Sequence, residues 1–398
     1  MNISPGAAKG LKVIDLSRVL GGPFATQLLA DHGADVIKVE PPQGDEVRDW
    51  GPPFHEDDAA YFLGINRNKR SIGLDLTQET GRDVLLGLLE DADILIENFK
   101  PGSMERWGIG YEQLKERFPG LIYCKISGFG ADGPLGGFPG YDGIVGAMAG
   151  HYSVNGSEES GPMRLGLPIV DITTGLYSAI GILLAVHERD SSGAGQFMEV
   201  TLYDTALSLM HPHCTNYFSS GKVPGRTGNQ HASLVPYGMF ETGTVPVMLG
   251  IGNNRAFQKF ATAINRPELA SDPRFASNGD RQKNRHELND IIRDQLKDVD
   301  GEAFALELLK AGLPCGPVLD TEQAVEAEHT KARGSIYEKD WYRGIGTPVR
   351  FGRTPGGLRS LPPKFSEHAT DILKEHGFAQ SEIDQLIDKG ALVKERRQ

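Results

Sequence analysis

LKVIDLSRVLGGPFATQLLADHGADVIKVE, residues 11–40, reads as one strand–helix–strand unit. Leu11–Leu16 is a short apolar run with β-branched residues, the pattern of a buried strand. Pro23–His32 reads as a helix, with Pro23 in its first turn and Gly33 at its carboxyl end. Asp35–Glu40 is a second strand. The pattern repeats outward. Ser71–Leu76 reads as a third strand, and Thr77 is placed to cap a helix running to about Asp91. Asp93–Asn98 and Leu121–Ser127 are further strands. Strands alternating with helices predict an α/β class with a largely parallel sheet covered on both faces. Such sheets bind ligands beyond the carboxyl ends of their strands. Those ends lead into RVLGGP, PPQGDE, FKPGS and GFGADGPLGGFPGYD, so these glycine- and proline-rich loops are where a site is expected.

The second half changes character. Asp171 opens the longest helix, and Ile172 to Arg189 is apolar nearly all round, which predicts a buried helix. Phe197–Leu202 reads as a strand, and Thr205–Ser219 as a helix broken at Pro212. SGKVPGRTGNQ, residues 220–230, is a linker candidate. Two short strand patterns within Gly238–Ile251 follow, then helical patterns over Arg255–Ile264, Asn284–Val299, Gly301–Ala311 and Glu322–His329. This predicts a smaller α+β domain over 227–332. A second linker, GIGTPVRFGRTPGG, leads to a helical tail, Ala369–Leu392.

Composition narrows the function. Of 398 residues 50 are glycine, about 13% against a usual ~7%, which suits an enzyme built on tight loops. The net charge is -12, and outside the tail no Lys/Arg run exceeds two, so nucleic acid is not an expected partner. An anionic ligand would need a locally basic pocket. Cys124, Cys214 and Cys315 form no CxxC and read as neutral thiols in a reducing cytoplasm. The first residues lack a signal-peptide pattern. The apolar run near Ala179–Val186 falls short of the ~18 residues of a span, so no membrane is expected. The loop after the first strand, DLSRVLGGPFA, is not GxGxxG, no GxxxxGK[ST], GxSxG or HExxH occurs, and His211 and His213 read as a polar turn, so no metal is expected. Lys69 and Arg70 read equally as a surface pair.

Asp171 is the sharpest single residue. It follows LGLPIV and precedes the apolar helix, so an ordinary N-cap is one reading. A carboxylate nucleophile is the other. A helix N-terminus favours the anion, keeps it ionised at neutral pH and offers N–H donors to developing oxygen charge. Aspartate is an established covalent catalyst. The two readings are compatible.

The segments LKVIDLSRVLGGPFATQLLADHGADVIKVE, NRNKRSIGLDL, ILIENFKPGSMERWGIGY, SGFGADGP, GYD, VDITTGLYSAIGILLA and GAGQFMEVTLYD occur in order along nearly the whole chain. In this the protein resembles the family III CoA-transferases, the group of formyl-CoA:oxalate and succinyl-CoA:glutarate CoA-transferases. Asp171 falls where that family places its catalytic aspartate. The resemblance implies a ping-pong reaction through an aspartyl anhydride and an aspartyl-CoA thioester. Coenzyme A and acyl-CoA would be substrates, with no permanently bound cofactor. By family position Asn98, Phe99, Lys100 and Arg106 would bind CoA, Leu74, Asp75 and Thr77 would lie near its adenine, and Tyr141 and Asp142 would flank the thioester and nucleophile.

The resemblance also implies an interlocked, ring-like homodimer of Rossmann-like large domains (1–219, with 345–398 returning) and small domains (227–332), joined by linkers at 220–226 and 333–344. The formyl-CoA branch has a glutamine where this chain has Leu20, beside Gly21, and a basic residue where it has Pro41. GNQHASLVPY and GIGNNRAF look closer to the succinyl-CoA:glutarate branch. His231 and Ser233 are then acyl-site donors, and Arg164 is a candidate partner for an acceptor's distal carboxylate. Succinyl-CoA and a small dicarboxylic acid are the expected pair. One rival is an α-methylacyl-CoA racemase, which needs an acid/base histidine where this chain reads GYDG. The other is a non-catalytic CoA-binding protein.

Overall fold

A computed structural model describes residues 5–397. The chain forms two compact units, the larger made of residues 5–151, 165–211 and 332–397. Its elements are β1 (Lys12–Asp15), α1 (Gly21–Asp31), β2 (Asp35–Glu40), β3 (Lys69–Leu74), α2 (Glu79–Leu88), β4 (Ile94–Glu97) and β5 (Ile122–Ser127). Then come α3 (Asp142–Met148), α4 (Ile169–Ser192), β6 (Phe197–Thr201) and α5 (Leu202–Ser208). The sheet order is β6-β5-β4-β1-β2-β3, parallel throughout. Leu392–Val393 adds an antiparallel strand on the outer edge of β3. This mixed α/β architecture is the doubly wound arrangement expected from the alternation.

Alternation along each strand feeds two cores. Val13, Val36, Ile94 and Ile96 face α1 and α4. Ile14, Ile37, Ile72 and Leu95 face α2 and the C-terminal helices Ala369–Glu375 and Gln380–Asp388. β5 is buried at every position, which is why its alternation is invisible in the sequence.

Several expectations need correction. The third strand begins at Lys69, and Lys69 is fully buried against Asp15 rather than on the surface. Arg70 is half-buried and pairs with Asp35 and Glu375. Thr77 does not cap α2. Its amide and hydroxyl both donate to the Asp75 carboxylate, and α2 starts two residues later. α4 starts at Ile169, so Asp171 is its third residue and not its cap. α4 is also buried on one side only. Thr174, Ser178, Ile182 and Ala185 are covered, whereas Leu176, Ile180, Leu183 and Leu184 are exposed, Leu184 by 64%. Its apolar window has a mean hydropathy of 1.9, so by length and composition alone this 24-residue helix could cross a membrane, contrary to the sequence estimate. Its buried side packs on α1 and the sheet.

The smaller unit comprises Tyr152–Arg164 and Pro212–Lys331. β7 (Tyr237–Phe240), β8 (Val247–Gly250) and β9 (Cys315–Pro317) form an antiparallel sheet. α6 (Asn254–Ala263), α7 (Arg285–Leu296) and α8 (Gly301–Lys310) share a core with it around Phe257, Phe260, Phe275 and Leu288. Residues 220–226 lie inside this unit. Residues 333–344 are not a bare linker, since they hold most of a hairpin, Ile336–Lys339 paired with Tyr342–Ile345, in the larger unit.

Candidate active site

β1 is the pivot of the sheet. The chain leaves it toward β2 on one side and later builds β4 on the other, so the loops after β1 and β4 diverge. A crevice at that point is where doubly wound sheets hold ligands. A cavity of about 300 Å³ opens there, walled by Arg18–Gly21, Asn98–Pro101, Ser127, Tyr141 and Asp171.

Asp171 reaches it from the first turn of α4. That helix has Pro168 at its N-cap, with no side-chain hydrogen bond of its own. The cap comes from α3 instead. The Asp142 carboxylate accepts hydrogen bonds from the Val170 N–H (2.8 Å) and the Asp171 N–H (3.2 Å). The Asp171 carboxylate itself has no hydrogen bond or ion pair among the described residues. Burial, and then the charge of Asp142, push its pKa up to about 7. The expectation that the helix end keeps Asp171 ionised is therefore corrected: Asp142 already occupies the favourable N–H groups. Tyr61 lies in the same field. Burial and the charges of Asp171, Asp142 and Asp45 push its phenol up to about 12. Sequence reasoning missed Tyr61, which sits in an unpatterned stretch with no motif around it.

Glycines let the helices approach. A Cβ at Gly21 would lie 3.3 Å from the Asp171 carbonyl oxygen, and one at Gly175 would lie 2.5 Å from the Gly21 carbonyl oxygen. A side chain at Gly175 would therefore push α1 away from the turn that carries Asp171.

The opposite wall is a clamped loop pair. Asn98 Oδ1 accepts from the Arg18 N–H (2.9 Å), and its Nδ2 donates to the Arg18 carbonyl (2.8 Å). Glu97 Oε2 accepts from the Phe99 N–H (2.7 Å), and burial pushes this carboxyl up to about 7 despite Lys125 nearby. The Arg18 guanidinium lies over the Phe99 ring at 5.5 Å. Arg18 and Lys100 make this wall basic, as an anionic ligand of an acidic protein requires. Arg18 is a residue the sequence reading did not single out.

The structure thus brings Leu20, Gly21, Asn98, Phe99, Lys100, Tyr141 and Asp171 to one cavity. Asp142 stands behind Asp171 as its capping partner rather than on the cavity wall. Besides Asp142, four predicted CoA contacts lie outside the wall. Leu74 is buried in the core, and Asp75 and Thr77 form the turn before α2. Arg106 is exposed and donates to Ser103 Oγ (3.0 Å). Arg164, His231 and Ser233 belong to the smaller unit. There His231 Nδ1 accepts from the Ser233 and Leu234 N–H groups.

A sheet-end cavity that holds the unpartnered Asp171 and Glu46 together with the cations Arg18 and Lys100 suits transfer chemistry on an anionic carrier. The family model for CoA-transferase family III matches residues 9–369. The chain belongs to this family. The protein is accordingly an enzyme, a CoA-transferase whose substrates are CoA thioesters. It is 37% identical to an acetyl-CoA:oxalate CoA-transferase of Acetobacter aceti, over 93% of this chain and 96% of that one. It is 36% identical to a succinate–glutarate CoA-transferase of Agrobacterium fabrum, over 92% and 94%. Among solved structures, a CAIB/BAIF family protein from Brucella suis superposes with a TM-score of 0.85 at 39% identity, covering 93% of this chain and 99% of that one.

Proposed function

We propose that this CoA-transferase moves CoA from succinyl-CoA to a small dicarboxylic acid such as glutarate, with Asp171 as the covalent nucleophile. The observation that carries the mechanism is the unpartnered, half-buried Asp171 carboxylate facing the cavity. An anion with no cation to hold it is destabilised in the resting site. Acylation removes that charge, so the penalty is relieved as the covalent state forms.

Each step then balances. An Asp171 oxygen attacks the thioester carbonyl carbon, the C–S bond breaks, and CoA leaves as a thiolate with a mixed anhydride behind. The thiolate attacks the aspartyl carbonyl and expels the donor carboxylate, leaving an aspartyl-CoA thioester. The acceptor carboxylate attacks that thioester and releases the thiolate. The thiolate finally attacks the acceptor's acyl carbon and regenerates Asp171. The backbone around Leu20 and Gly21 borders the reacting carbonyl, and Arg18 and Lys100 face the anionic part of CoA.

The succinate–glutarate pairing is supported by the relative of that name and by GNQHASLVPY and GIGNNRAF in the smaller unit. A homodimer is supported by the open apolar side of α4, which a second copy of this chain would cover. An active monomer in sedimentation would overturn the dimer. The mechanism is tested by intact mass after mixing with succinyl-CoA, for wild type and Asp171→Ala. A succinyl- or CoA-sized adduct in wild type alone, discharged by glutarate, is the expected result. Adduct on Asp171→Ala, or none from any acyl-CoA on wild type, would overturn it.

A further inference from the structure

Val19 is the strained point of the site. It is β-branched yet sits at φ +70°, in the left-handed region that such side chains avoid. A conformation of that kind is strained and persists only where its surroundings over-determine it. The surroundings here are charged and fully buried. Asp45 Oδ1 accepts from the Val19 N–H (3.2 Å). Asp45 Oδ2 accepts from Lys38 Nζ (2.9 Å), and Lys38 also donates to the Ser17 carbonyl (2.9 Å). The Asp45 N–H donates to Glu40 (3.0 Å), which Arg48 grips through two nitrogens at 2.8 and 2.7 Å. Asp45 and Lys38 have no solvent exposure.

A desolvated Lys–Asp pair contributes little net stability, and apolar residues of similar size would pack the same space as well. Its distinctive effect is geometric. Ser17, Arg18 and Val19 are each held by a side chain of another segment: Lys38 of β2, Asn98 after β4, and Asp45. The next two residues, Leu20 and Gly21, line the cavity, and Gly21 lies against the Asp171 turn.

We propose that Asp45, held by Lys38, is a positioning residue that locks Val19 in its left-handed conformation and so sets the Leu20–Gly21 backbone against Asp171 for acyl transfer. The proposal rests on the reading of Asp171 as the nucleophile. Asp45 is fully buried and does not line the cavity. Its loss would let Val19 relax to negative φ and shift the next two residues, while Asn98–Lys100 still hold CoA.

The test is a double-mutant cycle of Asp45→Asn and Val19→Gly, since glycine adopts positive φ without penalty. Single-turnover formation of the covalent adduct is followed with saturating succinyl-CoA and acetyl-CoA, with KM measured alongside. Asp45→Asn should slow adduct formation at least tenfold when Val19 is intact, with KM within about twofold. In the Val19→Gly background the same substitution should cost no more than about twofold. Should Asp45→Asn not fold, Val19→Pro, which forces negative φ and removes the N–H donor, should slow adduct formation at least tenfold with CoA affinity within about threefold. Equal losses in both backgrounds, no loss on Asp45→Asn, or an unchanged rate in Val19→Pro would overturn the clamp while leaving the nucleophile intact. A wild-type enzyme that forms no aspartyl adduct would overturn the nucleophile and the clamp's role with it.

Discussion

Replacing Asp142 by asparagine removes one negative charge beside Asp171 and leaves a carbonyl oxygen to accept the Val170 and Asp171 N–H groups. The cap survives and the field changes. In the native protein burial is the larger cause of the raised Asp171 pKa, and Asp142 is the second. An Asp142 oxygen lies 3.2 Å from the Asp171 amide nitrogen. A neighbouring charge within about 4–6 Å shifts a carboxyl pKa by about 1–3 pH units. Solvent on the open side of the cavity reduces this to about one unit. The Asp171 inflection should therefore fall from about 7 to about 6, with the burial contribution left in place. The assay is single-turnover adduct formation from succinyl-CoA, read by intact mass between about pH 5 and about pH 9. Only the carboxylate attacks, so the rate should climb with pH and level off above the inflection. In Asp142→Asn the rise should come about one unit earlier, to a lower plateau, because a less basic carboxylate is a weaker nucleophile. An inflection that stays in place, or moves up, would refute the idea that Asp142 raises the nucleophile electrostatically.

Three further outcomes follow from the same geometry. Asp171→Asn should stabilise the protein at neutral and alkaline pH. A carboxyl raised in the folded state favours folding when protonated, and that contribution is lost as pH rises from about 4 through about 7. The gain over wild type should be about 1–2 kcal/mol above pH ~7.5 at this half-buried site and vanish below pH ~4; denaturant melts with a gain at low pH instead would contradict the sign. Gly175→Ala places a Cβ 2.5 Å from the Gly21 carbonyl oxygen, so it should cost about 2–3 kcal/mol in a thermal melt and slow adduct formation; an unaffected melting temperature would mean α1 and α4 are not in tight register. Lys100→Ala should raise KM for acyl-CoA about tenfold with kcat nearly unchanged, and a fall in kcat instead would place Lys100 at the reacting carbonyl.

Sequence patterning is most legible where one physical rule dominates. Asp35–Glu40 carries β-branched Val36, Ile37 and Val39 between Gly33 and Pro41, and the strand spans those same six residues. Pro23 sits in the first turn of α1, which begins two residues earlier at Gly21, and Gly33 follows the helix at φ +104°. Legibility fails where tertiary contacts override local signals. Lys69 reads as surface until Asp15, Pro23 and Asn66 are brought around its ammonium. Leu392–Val393 is too short to announce a strand and becomes one only because β3 offers an edge. Asp171 was visible as a helix-start carboxylate, but the group that raises its pKa lies 29 residues earlier on another helix. Tyr61 carries no motif at all, and Arg18 lies in the RVLGGP loop without being singled out there; the convergence of loops at the switch point makes both neighbours of the site.

The larger unit treats its buried carboxylates in two ways, and the contrast locates the chemistry. Asp15 faces Lys69, Glu40 faces Arg48, and Asp45 faces Lys38, all beneath the carboxyl ends of the strands. Burial alone would push Glu40 up, yet Arg48 takes it down to about 2, so that group stays an anion at any working pH. Asp171 and Asp142 receive no such cation among the described residues, and the cost falls on Asp171. Asp31 is paired with Arg67 in the same way, so four buried carboxylates of this unit have a close cation and Asp171 has none. On the proposed mechanism, leaving Asp171 unpaired at the open cavity maintains a destabilised anion that covalent bonding to an acyl group would discharge. A cation beside Asp171 would hold it as a stable carboxylate and remove the advantage of acylation. The contrast thus supports the proposal that the buried pairs position the loops and the unpaired aspartate takes part in the reaction.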